Sequence, residues 1–333
     1  MMKTLRTLAL IGVSLLAIAI VGGLFLPSTA RVQRTATIDA PEHVVFAAVN
    51  TLKLWPSWAA WFRYDTTAAV HCDGPPSGAG ATMHWQSSHG RLGNGVLTVT
   101  QATPSSSVSF TFAMDGQRST PASLRFVDAG NGRTTATWDM EADFGFNLFA
   151  RWFGLFFDRM VGPDFEQSLA SLDAYLAATR KRMSSVQDVV LPATHVLLVR
   201  TTTPTAAIGG ALATSFASIT GHAGRRNLQV IGAPFVSYSD WNGRTTTMEA
   251  MMPIAVADTG AGDVRGMTRP AMRAVAVDYY GPYELVGIAR DALEQHLAVR
   301  NIPAGESWEE YLTDPAMAPD PATWHTRVYY RLP

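Results

Sequence analysis

Tyr279-Tyr280-Gly281-Pro282-Tyr283-Glu284 closes an extended apolar run, and an amphipathic helix follows it. Next come Trp308-Glu309-Glu310-Tyr311-Leu312-Thr313-Asp314-Pro315 and the strand-like Thr326-Arg327-Val328-Tyr329-Tyr330. Alternate side chains of a strand share a face, so Glu309 points the same way as Tyr311, and Val328 the same way as Tyr330. A carboxylate is thereby placed among aromatic rings. Withdrawn from water, it attracts positive charge, and ring faces add cation–π attraction. The pattern points to a site for a small molecule that is hydrophobic or cationic.

Working outward, this stretch is the second copy of a repeated pattern. The first copy predicts a strand over 189–199, a helix from Pro204 to about Thr220, and strands over 227–238 and 245–254. The second predicts a strand over 272–280, a helix over 284–300, and strands over 307–313 and 326–332. Pro234-Phe235-Val236-Ser237-Tyr238 lines up with Ser307-Trp308-Glu309-Glu310-Tyr311. Tyr238 and Tyr311 thus match across a pseudo-twofold, and Val236 stands where the other copy has Glu309. A cleft between the copies has one acidic wall. Glu249, with Met248, Met251 and Met252 around it, is a second candidate carboxylate beside either adaptable pocket methionines or ordinary core.

Gly281-Pro282-Tyr283, the helix after it and Trp308–Pro315 resemble the effector-binding domain of AraC-type regulators and GyrI-like proteins, over roughly residues 188–333. The resemblance implies two strand-helix-strand-strand units facing each other across a ligand cleft, with Glu309 contacting cationic or polar ligands. It also permits a hydrolase of strained electrophiles that uses Glu309 and Tyr311. Tyr283 is carried over as a further site residue, and Tyr238, Tyr330 and Glu249 are added from the strand pattern.

The preceding segment, 31–183, alternates as a strand over 32–38, opens a helix after Pro41, and then gives strand-like runs over 68–73, 81–87, 95–103, 107–114, 122–127 and 134–141. A helix over 164–182 carries Phe165, Leu169, Leu172 and Leu176 at spacings of three and four. Asp39-Ala40-Pro41-Glu42-His43-Val44, Trp55-Pro56-Ser57-Trp58, Trp61, Gly74-Pro75, Gly78-Ala79-Gly80 and Trp85 resemble the polyketide cyclase/START-like (SRPBCC) superfamily. The resemblance implies a helix-grip fold around a deep apolar cavity, in a superfamily whose functions range from enzymes to transporters. Trp55, Trp58 and Trp61 are read as a packed segment closing the cavity mouth. The aromatic stretch Phe144–Phe157 suits core or a cavity lid, with a surface dipping into a bilayer as the alternative.

Residues 8–26 are an uncharged run behind Lys3 and Arg6, long enough to reach across the hydrocarbon of a bilayer. Residues 1–30 are read as an uncleaved membrane anchor with both domains outside the cytoplasm; a signal peptide cleaved after Ala30 is the rival. The fold class is therefore α+β: a transmembrane helix, a START-like domain, and a duplicated effector-binding domain after a boundary near Ser184.

A net charge of −1 over 333 residues gives no electrostatic footprint for nucleic acid. Cys72 is the single cysteine, so no internal disulfide forms, and it is expected as a buried or half-buried thiol. No phosphate loop, zinc-spaced ligand set or nucleophile elbow appears, and no cofactor is expected. Asp139, Glu141 and Asp143 read as a solvated strand face, and His84 and His89 as structural or surface groups. Three functions remain open: a membrane-anchored binding protein with two ligand-binding domains, a hydrolase with Glu309 as general base, and a structural domain in which Glu309 pairs with a base such as Arg327.

Overall fold

The computed structural model describes residues 10, 17, 20–114, 119–241 and 244–333. Both sheets are antiparallel, and the chain divides into two units, Met1–Tyr175 and Leu176–Pro333, with the division falling inside a long helix.

In the first unit β1 (Thr29–Ile38) is followed by α1 (Glu42–Asn50) and two 3-10 turns, 52–57 and 60–64. The strands β2 (Ala69–Asp73), β3 (Thr82–Gln86), β4 (Gly95–Thr103), β5 (Ser107–Met114), β6 (Thr120–Gly130) and β7 (Arg133–Asp143) then form a meander. It closes on β1 in the order β1-β7-β6-β5-β4-β3-β2. The 33-residue helix α2 (Leu148–Arg180) completes the unit. Phe165, Leu169, Leu172 and Leu176 are buried, as their spacing predicts.

Three expectations change here. The long helix begins at Leu148, sixteen residues before the expected start, and runs through Pro163. A proline's ring clashes with the Cβ of the residue before it, and that residue is Gly162, which has none. Arg34 then ties the two halves together, donating to Asp158 at 2.7 Å and to Glu166 at 2.5 Å on either side of the Gly162-Pro163 step. Second, Cys72 is exposed, because β2 is the last strand of the sheet and all five of its residues face solvent. Third, much of the aromatic stretch entering α2 is exposed rather than core. Asp139, on the outer face, is bonded by Arg31, Gln33 and Arg125 rather than simply solvated.

Among the described residues no helix is long and apolar enough to cross a membrane, and much of the expected anchor, residues 8–26, lies outside them.

The second unit contains β8 (Gln187–Leu191), β9 (Thr194–Pro204), α3 (Ile208–Arg225), β10 (Phe235–Ser239), β11 (Thr245–Ile254), β12 (Gly260–Ala261), β13 (Val264–Arg269), β14 (Met272–Tyr280), α4 (Gly287–Val299), β15 (Ser307–Tyr311) and β16 (His325–Arg331). The expected strand over 189–199 is two strands. Pro192, which has no amide to give a ladder, separates them, so β8 pairs with β14 while β9 pairs with β11 and β13. The sheet order β12-β13-β9-β11-β10-β15-β16-β14-β8 is nearly palindromic about the β10–β15 pair, as a duplication requires.

At the outer part of this sheet Asp278 accepts from Arg327 Nε and Nη2, both at 2.8 Å, and His325 Nε2 lies 2.7 Å from it. The bonds from Arg327 dominate, burial opposes them, and the net effect holds the Asp278 carboxyl below its ordinary range. A lowered folded-state value means stability that is fully present above the unfolded value, about 3.9, and lost as pH falls through the folded one. Denaturant titrations should therefore show the wild type weakening below about pH 4. Asp278→Asn should be less stable at pH 7 and weaken less on acidification; equal acid slopes for the two proteins would contradict this role.

Candidate functional site

The centre of the second unit is the pair β10–β15, in which Val236 stands opposite Glu309. These are the two matching positions of the duplication, so the pseudo-twofold axis passes between them. Paired residues share a face. On that face Val236 packs with Ile219 and Ala223 of α3, Leu197, Val199 and Met248. From the other side α4 brings Arg290 to Glu309 and Glu294 to Tyr330. The two helices thus flank the strand pair, and Glu309 lies on the floor between them.

Glu309 is 3% exposed, its twin Val236 is fully buried, and Arg290 Nη2 donates to Glu309 Oε1. Tyr311 donates its only hydroxyl proton to Glu309 Oε2 at 2.9 Å. Tyr238, 3.1 Å from the Tyr311 oxygen, must then be the donor in that second contact. A directed chain results, from Tyr238 through Tyr311 to Glu309. Burial, and then the Glu309 charge, raise the hydroxyl pKa values of both tyrosines well above the ordinary one, so both remain donors. Burial alone would lower the Arg290 pKa; Glu309 outweighs it and the net shift is upward. The Arg290 guanidinium carbon lies 5.3 Å from the Tyr238 ring centre, in cation–π range.

Tyr283, on the turn before α4, puts its ring 5.0 Å from that of Tyr311 and 4.7 Å from that of Trp324. Its hydroxyl donates to Thr313 O at 2.7 Å, and burial pushes its pKa up to about 12. The structure thus brings together Glu309, Tyr311, Tyr238 and Tyr283. Tyr330 shares the Glu309 face but is buried and donates to Glu294.

Two expectations are corrected. Glu249 is outside the group: Met248, Ala250 and Ile254 face α3, so Glu249 points the other way, where it pairs with Arg200 at 3.1 Å. The base on Glu309 is Arg290, not Arg327; strand alternation turns Arg327 to the opposite face, where it holds Asp278. Arg290 and Trp324 were missed. The signal for Arg290 was its spacing, three and seven residues before the buried Leu293 and Leu297, which puts it beside the inward stripe of α4.

In the first unit, rings occupy the interior where the resemblance implies a deep cavity. Trp55 lies 4.6 Å from Trp58, 5.2 Å from Phe110 and 5.7 Å from Trp138, and Trp138 stacks on Phe165 at 4.3 Å. Beside them a groove of about 310 Å³ is bordered by Trp58, Phe62, Arg63, Asp65, Gln167 and Ser171. Among the described residues no group of three or more His, Cys, Asp or Glu side chains could hold a metal ion.

A seven-stranded meander with a long helix in one unit, and a duplicated sheet with a buried ionic centre in the other, define the class: a two-domain α+β protein. Residues 29–177 match the family described as "Polyketide cyclase / dehydrase and lipid transport". No curated protein matches the chain. Among solved structures the chain is similar to an EcmrR–DNA complex (15% identity, TM-score 0.41, covering 61% of this chain and 87% of that one). It is also similar to the EcmrR C-terminal domain (18%, 0.40, 45% and 97%) and to a hydrolase from Listeria innocua (10%, 0.37, 44% and 91%). At such identities and TM-scores these likenesses say nothing about what this chain binds.

Proposed function

We propose that this is a membrane-anchored small-molecule binding protein whose second unit captures a small aromatic cation on Glu309. One observation carries the reading: a carboxylate 3% exposed on the pseudo-twofold, at the position where the other copy has buried Val236. A buried ion pair is weak evidence of stability, because desolvation of the two charges offsets most of their attraction. Val236 is what the fold accepts at the equivalent position, so the charge at Glu309 is better explained by recognition. Arg290 then acts as a resident counter-ion, and an entering cation takes its place over the Tyr238 ring and on Glu309, between Tyr238 and Tyr283. The resemblance to effector-binding domains supports the same residue.

In this reading the START-like domain holds a second, apolar ligand at the groove beside Trp58. Residues 8–26 anchor the chain, with both domains outside the cytoplasm. Native mass spectrometry of protein purified from its own membrane tests the reading, with a co-purifying organic cation expected that Glu309→Gln fails to retain. An identical bound species in both proteins, or a bound organic anion, would contradict it.

A second reading rests on the hydroxyl chain. Glu309 with Tyr311 at 2.9 Å also suits a general base and a hydrogen-bond donor in hydrolysis. Turnover of an electrophilic cyclopropane by wild type, lost in Tyr311→Phe, would favour it over simple capture.

A further inference from the structure

The amino-terminal half of α2 carries an apolar stripe on the wrong side. Phe149, Trp152, Phe153, Phe156 and Met160 recur at helical spacing, and each is between 37% and 59% exposed. At 100° per residue this stripe lies opposite Phe165, Leu169, Leu172 and Leu176, the residues α2 buries. Past Pro163 the same helical angle is polar: Asp164, Gln167 and Ser171 continue the line. The solvent side of α2 is therefore polar in one half and aromatic in the other. About half of the roughly 150–250 Å² of each aromatic side chain is open, which gives a patch on the order of 500 Å², at the upper end for an isolated soluble surface.

That patch is continuous with the end of the apolar run. Residues 20–25 are helical and pack against the start of α2: a Cβ on Gly22 would come within 2.5 Å of the Trp152 ring, and one on Gly23 within 2.8 Å of Leu148. Arg151 Nη1 donates to the carbonyls of Gly23 and Leu26, both at 3.2 Å, capping the end of that turn, while its other nitrogens bond Gly145 O. Leu24 and Phe25 are themselves 60% and 86% exposed. The contacts fix the last turn of an apolar run onto the helix that bears the stripe. Arg151, Asp158 and Arg159 are the charges between 144 and 160, a balance of +1, so the surface is built for apolar insertion rather than for anionic headgroups.

We propose that residues 149–160 of α2 lie in the bilayer interface beside the anchor, the stripe covered by lipid acyl chains. This rests on the anchoring of residues 8–26 put forward above. A bilayer is favoured over a second copy of the chain because the stripe begins where the apolar run ends and stops after about 17 Å of helix.

Full-length protein in phosphatidylcholine vesicles tests it. Cys72, exposed and the single cysteine, is replaced by serine, and a nitroxide is placed in turn at Phe153→Cys, Phe156→Cys and, as a control, Val127→Cys, which is 63% exposed on β6. After flotation, the expected result is that dissolved oxygen relaxes the labels at 153 and 156 about tenfold more than a water-soluble nickel chelate does, with the reverse at 127. Protein that floats but shows nickel access at 153 and 156 overturns the proposal and leaves the anchor standing. Labels shielded from both reagents and broadened by one another overturn it in favour of a second copy. Protein that does not float overturns anchor and interface together.

Discussion

Arg290→Met lowers the stability of the second unit by about 2–3 kcal/mol and raises its affinity for small aromatic cations about tenfold or more. Removing one partner of a buried ion pair typically costs about 3–5 kcal/mol, because the other charge is left in low dielectric without compensation. The figure here is placed lower because the Arg290 side chain keeps 27% exposure while Glu309 keeps 4%. The same uncompensated carboxylate makes the affinity rise: a cation entering the variant no longer competes with the guanidinium, and it relieves the desolvation that the substitution exposed. Chemical denaturation with and without ethidium reads both effects, since a ligand that binds only the folded state stabilises it by mass action. Loss of stability that ethidium does not restore would mean the Arg290 site is closed to ligands.

Glu309→Gln acts in the opposite direction. The side chain keeps its shape, but its one carbonyl oxygen can accept from only one of Arg290 and Tyr311, which bond separate oxygens of Glu309, and the charge is gone. Cation binding weakens by about 1.5–3 kcal/mol, the scale of a charge-assisted hydrogen bond, while a neutral aromatic of the same size changes little. The double variant Arg290→Met, Glu309→Gln should recover part of the stability lost in Arg290→Met alone, because no buried charge is then left unpaired. Additive losses would show that the two residues are not coupled.

What was legible in the sequence follows from period and repetition. The duplication set Val236 against Glu309, and the structure pairs those two residues, because a strand at a twofold axis meets its own copy in antiparallel register. Tyr238 and Tyr311 then had to share a face, and they touch. Strands β11 and β14 match their expected ranges to the residue. Glu249 was misplaced although the same alternation excluded it: Met248 and Ala250 point inward, so the residue between them points away. Arg290 was not picked out because strand arguments say nothing about which helix side chain reaches across a strand pair. Cys72 depended on sheet order, which places β2 at an edge and which no local pattern specifies. The interior of the first unit was misread for a related reason. Its tryptophans are expected at the mouth of a cavity, and the packing of Trp55 and Trp58 on Trp138 joins two segments distant in sequence.

The most direct measurement is a calorimetric titration of ethidium, a flat aromatic cation, and of neutral phenanthridine into wild-type protein and Glu309→Gln at pH 7. A site built on Glu309 predicts that ethidium binds the wild type at least about tenfold more tightly than the variant, with phenanthridine indifferent to the change. Equal ethidium affinities for the two proteins would contradict the account and leave the Arg290–Glu309 pair a structural element of the fold.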